Sequence, residues 1–197
     1  GLIGGSIGLE LQNKGYEVYG LVNKIKTAER AKERGLAQII STNSKVISNC
    51  SMVILAMPLE QLINPPPELV NALPRNAVIT DVGSVKKPVL EIWQKLHPRF
   101  IGSHPMAGTI QTGVEAGRTN LFNDRPWIAT PEEPTDEEAL EAVHQLAITL
   151  KSQWVTTDSE THDQAVALIS HLPVFISTAL LQTVTNESNQ SLLRLAK

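Results

Sequence analysis

Cysteine is almost missing from this chain: Cys50 is the only one in 197 residues. A disulfide within the chain and a Cys-x-x-Cys metal site are therefore excluded, and the usage fits a reducing compartment. Cys50 lies against the apolar run 52–56 and reads as a small core residue. Aromatic residues are also scarce, at 4%. With 17 Lys+Arg against 20 Asp+Glu and no basic run, the chain lacks both the charge and the stacking platforms of a nucleic-acid binder. No apolar stretch approaches the ~20 residues that span a bilayer, and no signal-peptide pattern is present. These absences predict a soluble, cytoplasmic protein with neither nucleic acid nor membrane as partner. An initiating Met is lacking too. The chain opens inside what reads as a glycine-rich turn, so a fragment is expected, with the first glycine and the first strand lying upstream of residue 1.

What is present points to an α/β fold. Hydrophobic content is 42%, ordinary for a globular protein, and the length suits one doubly wound domain plus part of a second. Residues 4–13 read as a helix that Gly15 stops, 17–22 as a strand, and 27–34 as a helix closed by Gly35. The runs 51–56 and 77–81 are short and continuously apolar, the mark of parallel strands buried on both faces. Between them Pro65-Pro66-Pro67 breaks the chain, with the third proline able to start a helix at 68–73. A helix at 86–96, a strand at 100–103, a helix at 135–150 with a Thr135/Glu138 capping box, and a strand at 153–156 complete a mostly parallel Rossmann-type sheet. From Ser159 the pattern is helical, interrupted at His171-Leu172-Pro173. A domain boundary is predicted near residue 157, dividing a dinucleotide-binding domain (1–157) from the start of a helical one (158–197).

Gly1-Leu2-Ile3-Gly4 reads as the end of a G-x-G-x-x-G turn whose helix would aim its N–H groups and positive dipole end at a pyrophosphate. In this fold an acid at the end of the second strand holds the ribose 2′-hydroxyl of NAD. Here Val22 has that place and Asn23, Lys24, Lys26 and Thr27 follow, a setting that attracts a 2′-phosphate. NADP is predicted, with NAD as the alternative, and Pro58 in the turn after the run 51–56 joins the cofactor set. Lys24 and Lys26 as a merely solvated helix entry is the competing reading.

Of the five histidines, His97 and His144 sit in polar helical settings and are expected to face water. His104 differs: a strand carries it to the ligand edge of the sheet, into a loop kinked by Pro105 and Gly108. That loop, with Thr109, Gly113 and Gly117, has room to wrap a substrate. An unperturbed imidazole titrates near ~6.5, so its neutral form is available as a base. Ser84, after the tight turn at Gly83, either serves the site or caps the next helix. Asp81 is read as a turn residue or a site residue. The spacing of His162 and His171 does not put both on one helical face as an i, i+4 pair, and with no acid or Cys cluster nearby no metal site is predicted.

Three motifs in order, Asp81-Val82-Gly83-Ser84-Val85-Lys86, His104-Pro105-Met106-Ala107-Gly108-Thr109 and Ser170-His171-Leu172-Pro173, resemble the prephenate and arogenate dehydrogenase family of tyrosine biosynthesis. The resemblance runs from Gly1 to about Pro173. It implies an all-α, 6-phosphogluconate-dehydrogenase-like dimerisation domain after the Rossmann domain, truncated here, and a homodimer. It implies that His104 hydrogen-bonds the substrate's ring hydroxyl and takes its proton as hydride leaves the same carbon, after which the ring loses carbon dioxide and becomes aromatic. Ser84 would orient that histidine or touch the nicotinamide, and Gly108, Thr109 and His171 would contact substrate. His171 capping a helix over 163–170 is the competing reading, and His162, in an H-D-x-x-x-A match, is read as structural. The family's carboxylate-binding arginine is expected beyond Lys197. Ile110 stands where many prephenate-using relatives carry an acid, so the chain looks closer to cyanobacterial and plant-like arogenate enzymes. Two rivals are a β-hydroxyacid dehydrogenase or imine reductase of the same plan, and a Rossmann module that binds nucleotide without catalysis.

Overall fold

The computed structural model describes residues 1–185, so the remainder of the predicted helical segment lies outside the described residues. In chain order the elements are α1 (Leu2–Asn13), β1 (Tyr19–Leu21), α2 (Ile25–Glu33), β2 (Ile39–Ser41), β3 (Met52–Leu55), α3 (Leu59–Ile63), α4 (Pro67–Ala72), β4 (Val78–Asp81), α5 (Lys87–Leu96), β5 (Phe100–Ile101), β6 (Ser103–Pro105), β7 (Pro126–Ala129), α6 (Glu137–Thr149) and β8 (Gln153–Thr156). Strands β1 and β2 pair in parallel, as do β3, β4 and β5. β6 continues β5 past Gly102 and pairs antiparallel with β7, which pairs in parallel with β8. β1 and β3 do not pair with each other. A cleft of about 930 Å³ runs along their facing edges, from Gly1 and Gly4 to Ala142 and Leu146 of α6. Counted across that cleft, the order β2-β1-β3-β4-β5 is the Rossmann order 3-2-1-4-5-6 with no described residue in the place of strand 1. Much of the cleft is therefore a strand-wide slot, and its volume does not measure a ligand site.

Helices cover both faces of the sheet. On one face Val53, Leu55 and Ile79 pack against Leu62, Leu69, Val89, Leu90 and Trp93 from α3, α4 and α5. Trp93 is wholly buried, its Nε1 donates to the Leu62 carbonyl at 2.7 Å, and its ring stacks on Phe100 at 5.5 Å. Truncating such a residue to Ala costs about 3–5 kcal/mol. On the other face Ile7 of α1, Phe122, Trp127 and the α6 residues Leu146 and Ala147 form a second core. Gly4 is there for closeness: a Cβ on it would lie 2.8 Å from the Ala56 Cβ. Only glycine lets the start of α1 approach the end of β3.

Several expectations need correction. β2 and β7, with three and four residues, were not legible as strands. His104 lies within β6 opposite Ile128 and not in a loop; Gly102 bends the strand, and Pro105, which has no N–H to give, ends it. α6 is capped by Asp136, whose carboxylate accepts from the Ala139 amide at 2.9 Å, while the Thr135 hydroxyl donates to the Glu132 carbonyl. His97 is buried, its Nε2 3.1 Å from the Pro74 carbonyl.

After β8 come α7 (Ser159–Val166), a π-helical turn (Ala167–His171) and α8 (Leu172–Thr185), in one continuous run. The predicted interruption at Pro173 is thus a widened turn. Proline cannot give the regular helical hydrogen bond, and an i→i+5 turn just before it, with Leu172 N bonded to the Ala167 carbonyl, absorbs the mismatch. Because the helix runs on, His171 caps no helix end. By length and composition Ser159–Thr183 qualifies to cross a membrane, with a mean hydropathy of 1.7 over its best window. The sequence expectation missed this because Ser, Thr, His and Gln break every uninterrupted apolar run while few charges lower the average.

Candidate active site

β4 and the bent strand β5–β6 end side by side, and a buried ion pair ties them together. Asp81, the last residue of β4, and Lys86, just before α5, are both fully buried and paired Oδ2 to Nζ. The carboxylate also accepts from the amides of Gly83 at 2.9 Å and Ser103 at 3.1 Å, and Lys86 Nζ donates to the Ser103 carbonyl at 2.7 Å. Such saturation is what a buried charge pair requires. Burial pushes the Lys86 pKa down and the Asp81 charge opposes the fall. Ser103 directly precedes His104, so the clamp fixes where the histidine's backbone stands. Asp81 is thus a buried support beneath the His104 strand rather than a plain turn residue.

His104 is half-buried, and its Nδ1 lies 3.0 Å from Nε2 of His162 on α7, with the two rings edge-on at 72°. His162 Nδ1 lies 2.8 Å from Asp163 Oδ1. The Asp163 carboxylate also receives the amides of Lys86 at 2.8 Å and Lys87 at 3.0 Å, and so caps α5 from another helix. Burial is the main cause that takes the His104 pKa down to about 3; the Lys86 cation, His162 and His171 add to it and Asp163 opposes. The ring is thus an unprotonated base at neutral pH, well below the ~6.5 of a free imidazole. Burial likewise lowers His162. For Asp163, burial works toward a higher pKa, but hydrogen bonds from His162 and the two amides hold the carboxyl below its usual range.

Around this core the predicted residues fall as follows. Ser84 is exposed in the turn between β4 and α5. Among the described residues it neither caps α5, a task taken by Asp163, nor bonds His104, whose partner is His162. At Gly108 an added Cβ would meet nothing within 4 Å, and the Thr109 hydroxyl donates to the Gln111 carbonyl at 3.1 Å. Beyond them the loop is less free than expected: Val114 and Ala116 are buried, Arg34 Nη2 donates to the Gly117 carbonyl at 2.8 Å, and Arg118 N donates to Ser6 Oγ at 3.0 Å. His171 is exposed on the π-helical turn. Gly1, Gly4, Asn23, Thr27 and Pro58 line the cleft. Leu2 and Ile3 pack their side chains on the core beside Ile7; their amides, in the first turn of α1, have no helical carbonyl to bond. Lys24 is exposed immediately before α2.

Sequence reasoning passed over Lys86, His162 and Asp163 as site residues. An acid closing a buried strand and a lysine five residues later across a glycine turn was a readable sign of the first. His162 is 58 residues from His104, and nothing local announces their contact.

Fold and strand-end site together define a Rossmann-type nucleotide-binding domain joined to a helical segment. Residues 7–156 match the family model "Prephenate dehydrogenase, nucleotide-binding domain", and 158–196 match "Prephenate dehydrogenase, dimerization domain". The chain belongs to the prephenate dehydrogenase family. It is 31% identical to the prephenate dehydrogenase of Bacillus subtilis over 96% of its own length and 53% of the relative's. The chain spans about half the length of the curated relatives it matches. Among solved structures, Synechocystis arogenate dehydrogenase is 33% identical with a TM-score of 0.78, covering 99% of this chain and 70% of that one. The Aquifex aeolicus prephenate dehydrogenase complex with hydroxyphenyl propionate and NAD+ is 28% identical with a TM-score of 0.88, covering 95% and 68%.

Proposed function

We propose that the whole protein oxidatively decarboxylates arogenate, or alternatively prephenate, with His104 as the general base and NADP as the preferred cofactor. The observation that carries this reading is the His104 ring: its Nδ1 is engaged by His162, and its Nε2 takes no hydrogen bond from any described residue at the carboxyl edge of the sheet. The residues present suit a dinucleotide, since the glycine-rich first turn of α1 has no side-chain cap and its leading amides lack helical carbonyl partners. A nicotinamide cofactor supplies the hydride acceptor. His104 Nε2 takes the proton of the ring hydroxyl as the hydrogen on the same carbon departs with its electron pair. Carbonyl formation follows, then loss of carbon dioxide and aromatisation. Ser84 stands free to meet the nicotinamide end, and Gly108, Thr109 and His171 to meet substrate.

NADP preference is supported by Val22, which lines the cleft without a charge, and by Asn23, Lys24 and Thr27 beyond it. Exposed Ile110, in place of an acid, supports arogenate. We divide the chain near residue 157, and assign the exposed apolar side chains of α8, including Val174, Phe175, Leu180 and Leu181, to a homodimer interface in a cytoplasmic enzyme. Steady-state kcat/KM for both substrates with both cofactors tests the reading. It fails if neither substrate is oxidised, and its NADP clause fails if NAD is preferred. Val22→Asp should shift preference toward NAD by about tenfold, the weight of one like-charge contact near the surface.

A further inference from the structure

We propose that His162 and Asp163 are positioning residues that fix the tautomer and the ring plane of His104, leaving its Nε2 lone pair for the substrate. The proposal rests on His104 being the base and adds what sets it.

The assignment follows from donors and acceptors alone. Asp163 already accepts two backbone amides, from Lys86 at 2.8 Å and Lys87 at 3.0 Å, and a carboxylate only accepts. The His162 nitrogen 2.8 Å from it, Nδ1, must therefore carry the hydrogen. A neutral ring then has an acceptor at Nε2, and the group 3.0 Å away is His104 Nδ1, which must donate. His104 Nε2 is left bare. The His162 side chain is fully buried, so water cannot take over its part. During reaction one proton moves, from the substrate hydroxyl to His104 Nε2. The imidazolium so formed keeps its Nδ1–H on His162; His162 stays neutral and Asp163 stays ionised, as the carboxylate does in a Ser-His-Asp triad. The charged and titratable groups that bear on His104 are Lys86, His162, His171 and Asp163, and Asp163 alone among them favours the cation.

Geometry explains why this pair lies on α7. The carboxylate that orders the rings also caps α5, and Lys87 Nζ reaches Glu160 at 3.1 Å, so the helical segment is pinned to the sheet where the base stands. Docking of α7 and readiness of His104 are one event.

The test uses the whole enzyme and four variants, with melting temperature measured on each. His162→Leu should lower kcat by about 10²-fold with KM within threefold, and Asp163→Asn by about 10- to 10²-fold, the usual range for an orienting partner. His162→Gln, which keeps an acceptor for His104 Nδ1–H, should recover most of the loss in His162→Leu; a purely structural role would not distinguish them by kcat. Side-chain 15N NMR of the unliganded wild type should show His104 protonated at Nδ1 and bare at Nε2. A His104 protonated at Nε2 overturns the proposal, and so does a folded His162→Leu with kcat within twofold of wild type. Should His162→Leu fail to fold, the wild-type tautomer and Asp163→Asn decide. His104→Asn separates the two claims: if it is inactive while the other variants are normal, the base stands and the positioning pair falls; if it is fully active, the base itself falls.

Discussion

The two motif histidines stand in opposite surroundings. His104 is half-buried, bonded through His162 to Asp163, and seated on a strand clamped by the buried Asp81–Lys86 pair. His171 is exposed on a π-helical turn, and Leu168, Ile169 and Leu172 beside it are exposed too. One position is determined by the chain's own packing; the other has a fixed backbone and a side chain left to whatever meets it. The first surroundings should govern rate and stability, through different residues. The second should matter to binding alone.

The largest effect expected on the first side is on rate. His104→Asn keeps a polar side chain but cannot take the proton, so kcat should fall by about 10² to 10⁴ with the melting temperature nearly unchanged. Folded protein with activity within threefold of wild type would remove His104 from the chemistry.

The clamp beneath it is expected to govern stability. Lys86→Met leaves Asp81 buried with its charge unpaired, a loss of about 3–5 kcal/mol. The double variant with Asp81→Asn should recover part of that, since it removes the orphaned charge. Chemical denaturation of Lys86→Met, Asp81→Asn and the double variant measures this, and equal losses in Lys86→Met and the double variant would show that no orphaned charge is relieved.

The same contrast explains what could be read in advance. The strand-end placement of Asp81 and His104 was legible because buried parallel strands are short apolar runs whose closing residues stand at the ligand edge, although Asp81 stayed open between turn and site. The close backbone approach at Gly4 was legible by spacing. Lys86 was only quoted inside a motif, because a lysine at a helix start ordinarily means solvent. His162 and Asp163 were out of reach for a different reason. Their value comes from the packing of α7 on α5, a contact between elements distant in sequence, and a His-Asp pair in an isolated helix carries no sign of it. The capping residue of α6 was misplaced by one position, from Asp136 to Thr135, because both are good caps and only the backbone decides.

A pH profile sharpens the comparison further. With the His104 pKa lowered from 6.5 to about 3, the folded chain binds fewer protons than the unfolded one between those values. Stability should therefore fall as pH drops below 6.5, with the loss complete near 3, and His162 acts in the same direction. In activity, kcat/KM should carry no acid limb from His104 near 6.5. An acid limb centred there that persists in His171→Ala would place the working pKa back at that of a free imidazole.

The smallest effect belongs to His171. Because the helix continues through it into α8, the substitution removes no cap, and because its side chain is exposed, it removes no core packing. His171→Ala should leave the melting temperature unchanged. If the imidazole binds the substrate equally in ground and transition states, its loss raises KM with kcat kept, by about two- to tenfold for one ordinary hydrogen bond. The measurement is KM, kcat and melting temperature on the same preparation. An unchanged KM would leave His171 without a part in substrate binding, and a lowered melting temperature would mean that its side chain is held by something in the assembled protein, most directly a second copy packed along α8.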